Sequence, residues 1–329
     1  MCKRLIKTVY ILVTVACVAS TVSAAVSIPV DLKRDSADAD FICVGKTIPP
    51  NVNDVRARQA AGSSEVTCRF RIDRVLKGDI EPGQTIEVKC LYGQQHCSGY
   101  DLVMLKRSGD SFVYSRIECS VPVSEEAYSV YKKSDDVMAN LRWEMINSLH
   151  SSSEWVVQSA LAQAGILTKS DIEVYTKPKI NDPDLRTQAS ALGVCIAAGM
   201  DGYVIPALEV VEKLCVSDKN DGSGVPISLL NHLTKLQIKP AMMAPVAAKL
   251  HSKSAEVRRI ASFMLRQSKI DAAVPYLQSA LDDSDSEVRY NAVFGIAMIK
   301  GDPKHAPSIV KFAEDEQAYV EYWKEKLNN

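Results

Sequence analysis

Apolar residues recur at two different periods along this chain of 329 residues, and the change of period divides it. In the rear part the spacing is helical. Val257, Ile260, Ala261, Met264 and Leu265 fall at i, i+3, i+4, i+7 and i+8, which is one face of an α-helix. Between residues 40 and 120 the period drops to two. Val66, Cys68, Phe70 and Ile72 alternate with Thr67, Arg69, Arg71 and Asp73. Ile86, Val88 and Cys90 alternate with Thr85, Glu87 and Lys89, as half-buried strands do. Phe41 to Ile48, Leu102 to Lys106 and Phe112 to Ile117 raise the count to at least five short strands, enough for a small barrel or sandwich.

The helical part repeats itself. Glu256-Val257-Arg258-Arg259-Ile260-Ala261-Ser262-Phe263 returns 31 residues later as Glu287-Val288-Arg289-Tyr290-Asn291-Ala292-Val293-Phe294. A fixed period of this size marks a solenoid, each unit burying its apolar face only against its neighbours. The small residue in mid-stripe, Ala261 or Ala292, lets an adjacent helix come close. Pro275 and Pro307 place a proline in the first turn of each second helix, and Pro206 and Pro245 open weaker copies upstream. Leu185 and Val257 are 72 residues apart, more than two ideal units span, and the polar run Ser217–Gly224 takes up the excess. Four units therefore cover about 181–314. Residues 136–175 read as one degenerate helical pair before them, and Tyr319 to Leu327 as a closing helix.

At these residues the chain resembles HEAT repeats, specifically the short class shared with phycobilin lyases. The resemblance rests on "EVRRIA", "EVRYNA" and "VPYL", with "DLRTQA" and "VIPAL" as worn copies, and covers roughly the last 150 residues. In front, "ADFICVGKTI", "VTCRFRIDRVLKG", "HCSGYDLVML" and "IECSVP" resemble the netrin-like, tissue-inhibitor-of-metalloproteinase-like barrel, an OB-type fold. The expected architecture is thus a multi-domain β + α protein: a signal peptide over 1–24, a small disulfide-bearing barrel over 25–125 and an all-α solenoid over 126–329. The animal inhibitors chelate zinc through an amino-terminal cysteine, whereas Cys43 lies 18 residues beyond Ala25. Inhibition by that mechanism is not implied.

The leader reading comes from Lys3, Arg4 and Lys7 ahead of the apolar run Val9 to Val18, followed by the small-residue site Val22-Ser23-Ala24. The rival is lipoprotein processing at Cys17, where Thr14 is a poor opening residue for the motif. Either way the protein is expected to be exported, to a bacterial periplasm or outside the cell, without membrane insertion after leader removal. Loss of the three leader cations takes the net charge from −1 to −4, and no basic stripe with aromatics appears, so nucleic acid is not an expected partner. Export changes how the cysteines read. Of seven outside the leader, Cys43, Cys68, Cys90, Cys97 and Cys119 crowd into the front part, suggesting two disulfides and one spare thiol. Cys195 and Cys215 read as buried hydrophobes.

Chemistry is sparse. His96, His150, His232, His251 and His305 form no HExxH or paired i, i+4 site, and no nucleophile elbow, phosphate loop or dinucleotide fingerprint is present. Cys90, His96 and Cys97 fit no structural zinc module. Asp218 to Gly222 begins like a calcium loop, but the twelfth position is Leu229. No metal, cofactor or catalysis is expected. Arg258 and Arg289 recur with the repeat and are expected to pair with acidic residues of adjacent units, Asp282, Asp283 or Asp285, with a ligand groove as the alternative. Two functions remain: a protein-binding scaffold using the solenoid surface, or an exported regulator such as a protease inhibitor acting through the barrel. A bilin lyase is disfavoured by the leader. Amino-terminal sequencing of the native protein should return Ala25 first; a diacylated Cys17 in the intact mass would instead put the protein on a membrane.

Overall fold

The computed structural model describes residues 30–48, 65–91, 100–115, 120–127, 129–217 and 227–328. It divides into two compact units, Met1–Asn147 and Ser148–Asn329. The expected leader, with Cys17 and Ala25, lies outside the described residues, as do Cys97, Cys119, His96 and the loop that resembles a calcium site.

The front unit is built on β1 (Phe41–Ile48), β2 (Glu65–Lys77), β3 (Thr85–Leu91), β4 (Asp101–Ser108) and β5 (Ser111–Tyr114). Neighbours run in the order β1-β2-β3-β5-β4, and β4 returns to pair with β1, so the sheet closes into a five-stranded barrel of the expected OB kind. The β3–β5 pair is parallel and the remaining pairs are antiparallel. A short β6 (Ser120–Pro122), not anticipated, extends the sheet along β4. Closure requires β1 to serve two partners. Its register on β2 slips between Ile42 and Cys43 and again between Val44 and Gly45, and such bulges bend and twist a strand. At the second slip a Cβ on Gly45 would lie 1.9 Å from the Arg71 carbonyl oxygen, so only glycine fits.

Alternation fills the barrel with Phe41, Cys43, Phe70, Ile72, Val88, Val103 and Leu105. The intervening Ile42, Val44, Leu102 and Met104 are equally buried, on the outer face. Helix α1 (Leu32–Asp38), absent from the sequence reading, and α2 (Val137–Leu149) bond to the end of β2. Lys77 Nζ donates to the Ser36 and Ala39 carbonyls, and Asn140 Nδ2 donates to the Leu76 carbonyl at 3.1 Å. The Arg74 guanidinium grips Glu144 of α2 with two bonds of 2.6 and 2.9 Å and donates to the Tyr100 hydroxyl at 3.1 Å. These bonds explain why the compact units meet at 147/148, past the boundary expected after residue 125. The first helix of the supposed 136–175 pair belongs to the barrel.

The rear unit begins with α3 (Glu154–Ala162) and a run of short turns over 164–181. Four helix pairs follow. They are α4 (Leu185–Ala197) with α5 (Val204–Ser217), α6 (Ile227–Lys235) with α7 (Pro240–Ala248), α8 (Ala255–Ser268) with α9 (Val274–Ser279), and α10 (Ser286–Ile299) with α11 (Ile309–Glu314). Helix α12 (Glu316–Asn328) closes the array. First helices stack on first helices, α4 on α6, α6 on α8 and α8 on α10. Asp184, Ser254 and Asp285 stand at the N-caps of α4, α8 and α10 and accept from backbone N–H groups there. Val257, Ala261, Val288 and Ala292 are fully buried in one continuous core.

Two proline assignments change. Pro245 does not open a helix: Pro240 does, and Pro245 lies inside α7, where its missing N–H breaks the backbone ladder four residues before the turn Lys249–His251 begins. Pro307 precedes α11, whose N-cap is Ser308, the hydroxyl accepting from the Lys311 N–H. Pro275 and Pro206 sit in the first turns of α9 and α5 as expected.

The Arg74–Glu144 pair sets a stability test. Glu144 is completely buried, and burial pushes its carboxyl up while the Arg74 bonds pull it down. Removing one partner of a buried pair leaves an uncompensated charge, whereas removing both does not. Glu144→Leu should therefore cost the full-length protein about 3–5 kcal/mol, and Arg74→Met with Glu144→Leu clearly less than the two single changes added together. Denaturant unfolding of the four proteins checks this.

Candidate partner-binding surface

The repeated arginines do not line a groove. Arg258 on α8 reaches Asp283, ahead of α10, with Nε–Oδ2 and Nη2–Oδ1 distances of 2.8 and 2.9 Å, and donates to the Ser252 carbonyl at 3.0 Å. One unit on, Arg289 pairs with Glu316 of α12 and donates to the Asp283 carbonyl. Arg259 grips Asp285, the cap of α10, at 2.7 and 3.1 Å, with Glu256 and Glu287 at 3.5 and 3.6 Å. The bond to Asp285 holds the Arg259 guanidinium above the usual arginine range. Arg258 and Arg259 thus tie α8 to Asp283, Asp285 and Glu287, and Arg289 ties α10 to α12, a ladder along the end of the array, while Glu256 braces Arg259 within α8. Arg258 and Asp283 are 12% and 10% exposed, which shields the pair from solvent.

Arg266, which carries no signature, is different. It leaves α8 one turn after Phe263 and lies over three rings: Phe294 at 4.2 Å, Phe263 at 5.3 Å and Tyr290 at 5.4 Å. Its Nη1 donates to Asn291 Oδ1 at 3.0 Å, and Asn291 Nδ2 in turn donates to the Ser262 hydroxyl at 3.1 Å. Asn291 is buried, so this polar pair fixes the guanidinium from below. Among the described residues no carboxylate lies within the 4.0 Å of an ion pair to Arg266. Burial pulls its pKa below the ordinary arginine range, with Tyr290 and Glu287 opposing. Gly295 sets the spacing of the two helices, since a Cβ there would meet Leu277 Cδ1 at 2.8 Å and Arg266 Cβ at 3.1 Å. Phe263, Tyr290 and Phe294 are all partly exposed, giving an aromatic shelf with a cation set into it.

A second concavity of about 440 Å³ opens near the start of the rear unit, between α3, the turns after it, α4 and α6. Leu161, Leu167, Ile172 and Val194 line it, with Lys169, Ser190, Ser228 and His232 as polar groups. Desolvation, then Lys235, lowers the His232 pKa, so the imidazole stays neutral at neutral pH.

Reactive groups are poorly placed for chemistry. Cys43, counted among the disulfide candidates, is a free thiol inside the barrel, between Val75 and Val103 in register, and burial pushes it up to about 12. Cys68 is buried on β2 opposite Val88, and the Cys90 backbone on β3 opposes Val66. Burial likewise raises Cys195 to about 11, so neither it nor Cys43 is a thiolate at neutral pH. His305 bonds Asp302 at 2.9 Å and stacks on Tyr322 at 3.7 Å, and Lys326 bonds the same carboxylate at 2.7 Å. That cluster fastens α12 to the turn that carries Asp302 and His305. Among the described residues no three His, Cys, Asp or Glu side chains gather as metal ligands would, and no helix is long and apolar enough to cross a membrane.

Residues 243–325 match the family described as HEAT repeats. The rear unit carries HEAT repeats. The match spans α8 to α12 almost completely and contains both the ladder and the shelf. A solved structure described as an engineered protein is 18% identical over 50% of this chain and 81% of its own, with a TM-score of 0.32. No curated protein matches the sequence. HEAT repeats generally mediate contacts between proteins, which is the class of activity this surface fits.

The ladder assignment has a measurable consequence. Arg258→Gln with Arg289→Gln removes charge-assisted bonds worth about 1.5–3 kcal/mol each. The melting temperature should fall clearly, while circular dichroism at low temperature keeps its helical signal. An unchanged melting temperature would mean that the two arginines do not hold the units together.

Proposed function

We propose that this protein is an exported, non-enzymatic scaffold that holds a protein partner on its HEAT solenoid. The observation that carries the reading is the Arg266 shelf: aromatic rings and an arginine, the residue types enriched in binding hot spots, lie together on stacked first helices, with no ion pair to that arginine among the described residues. The apolar concavity between α3, α4 and α6 supports it as a second contact region on the same unit. Export rests on the leader pattern of the first 24 residues, and disulfides among the front-unit cysteines other than Cys43 would suit an oxidising compartment. The barrel then acts as a folded mount or as a second binding module.

Photo-crosslinkers placed at Phe263 and Phe294, on full-length protein recovered from an envelope extract, test the assignment. A discrete protein adduct at both positions, recovered also with residues 148–329 alone, is expected. Recovery of the same protein by residues 25–147 alone would move the function to the barrel and favour the inhibitor class.

A further inference from the structure

The shelf says what kind of partner chemistry it takes. Arg258, Arg259 and Arg289 each reach a carboxylate of the following unit or closing helix, but among the described residues Arg266 has none within ion-pair distance. One period later its position is Ala297, and one period earlier the position of Gly295 is Met264. The shelf therefore does not arise from stacking, which reproduces only what recurs. It is a single feature set into the junction of α8 and α10.

Its parts have separate roles. Asn291, itself held by Ser262, takes one of the five N–H groups of Arg266 and fixes the plane of the guanidinium. Phe294, Phe263 and Tyr290 strip water from its flanks and contribute cation–π attraction. The Tyr290 hydroxyl also engages the guanidinium, and the N–H groups left over by Asn291 and Tyr290 in this partly desolvated, fixed fork match a carboxylate, which accepts two parallel hydrogen bonds. The rings beside it match an apolar side chain next to that carboxylate. We propose that the α8–α10 junction binds an acidic peptide segment of the partner, with a Glu or Asp carboxylate on Arg266 and an adjacent apolar side chain on Phe263 and Phe294. This inference rests on the scaffold reading and narrows its partner.

The test uses full-length protein and a fluorescein-labelled peptide of alternating Glu and Leu, with the Gln–Leu peptide as its neutral counterpart, followed by anisotropy. Arg266→Gln removes the charge, Arg266→Lys keeps it without the planar fork, and Lys304→Gln removes one exposed charge elsewhere as a control. The acidic peptide should bind at least about tenfold more tightly than the neutral one, a discrimination of about 1.4 kcal/mol. Arg266→Gln should abolish that preference, Arg266→Lys should restore only part of it, and Lys304→Gln should leave it intact. Melting temperatures show whether each variant is folded, and Phe294→Leu, which keeps an apolar side chain, serves as a second lesion if Arg266→Gln unfolds. Equal binding of the two peptides, or an Arg266→Gln or Phe294→Leu protein that keeps the preference, overturns the proposal. If the preference is absent while the crosslinkers still trap a protein, the acidic class is wrong and the scaffold stands. If both are lost, the scaffold reading falls with it.

Discussion

Everything in the rear unit follows from one constraint: a helix pair in this array has no partner for its apolar stripe except the pair beside it. The stripe must then be flat and narrow enough for a neighbour to seat, hence Ala261 and Ala292 in mid-stripe, both fully buried. Each pair also has to be turned to the same angle as the last. Arg258 and Arg289 supply that alignment, because Arg258 reaches forward to Asp283 just ahead of the α10 cap and Arg289 to Glu316 at the start of α12. Asp283 joins two such steps, taking Arg258 on its carboxylate and Arg289 on its carbonyl. Helix α12 covers the last pair by burying Trp323 and by gathering His305, Tyr322 and Lys326 around Asp302, whose carboxyl is held well below the usual range by Lys326 and then His305.

Much of this was legible in the sequence, for a physical reason. A repeat writes its contacts more than once, so "EVRRIA" and "EVRYNA" disclose the helix, its apolar face and its ladder together. What occurs once was harder to read. Helix α6 has no signature and was hidden behind the polar run before it. Pro245 looked like a helix opener because its spacing from Pro275 matched the period, yet Pro240 already held that role. Arg266 was passed over for the opposite reason, since nothing in its own repeat marks it. The available signal was the aromatic at i−3, Phe263, together with Tyr290 and Phe294 one period on.

In the front unit alternation disclosed the strands but could not disclose closure. Whether five strands make a sandwich or a barrel depends on β4 reaching β1, a pairing between residues some 60 positions apart. The two slips in β1 and the glycine at 45 make it possible, and none of these has a period. The helix that carries the chain from one compact unit to the next was hard to place for the same reason. A helical pattern from 137 reads as the start of a solenoid until Glu144 is seen to satisfy Arg74 of the barrel. Buried Cys43 shows the same limit, since clustering counts cysteines without saying which have a neighbour in reach.

The absent side chain at Gly295 makes the units of this array non-interchangeable. A tandem duplication of one unit would copy the ladder, the caps and the alanine stripe, and the enlarged stack would still cohere. It would not copy the place where α8 and α10 come together closely enough to hold Arg266 against Phe294, because that spacing depends on a glycine in one helix and an arginine in the other. The array can thus be lengthened elsewhere without gaining a second such junction, so its extent and its valency are set independently.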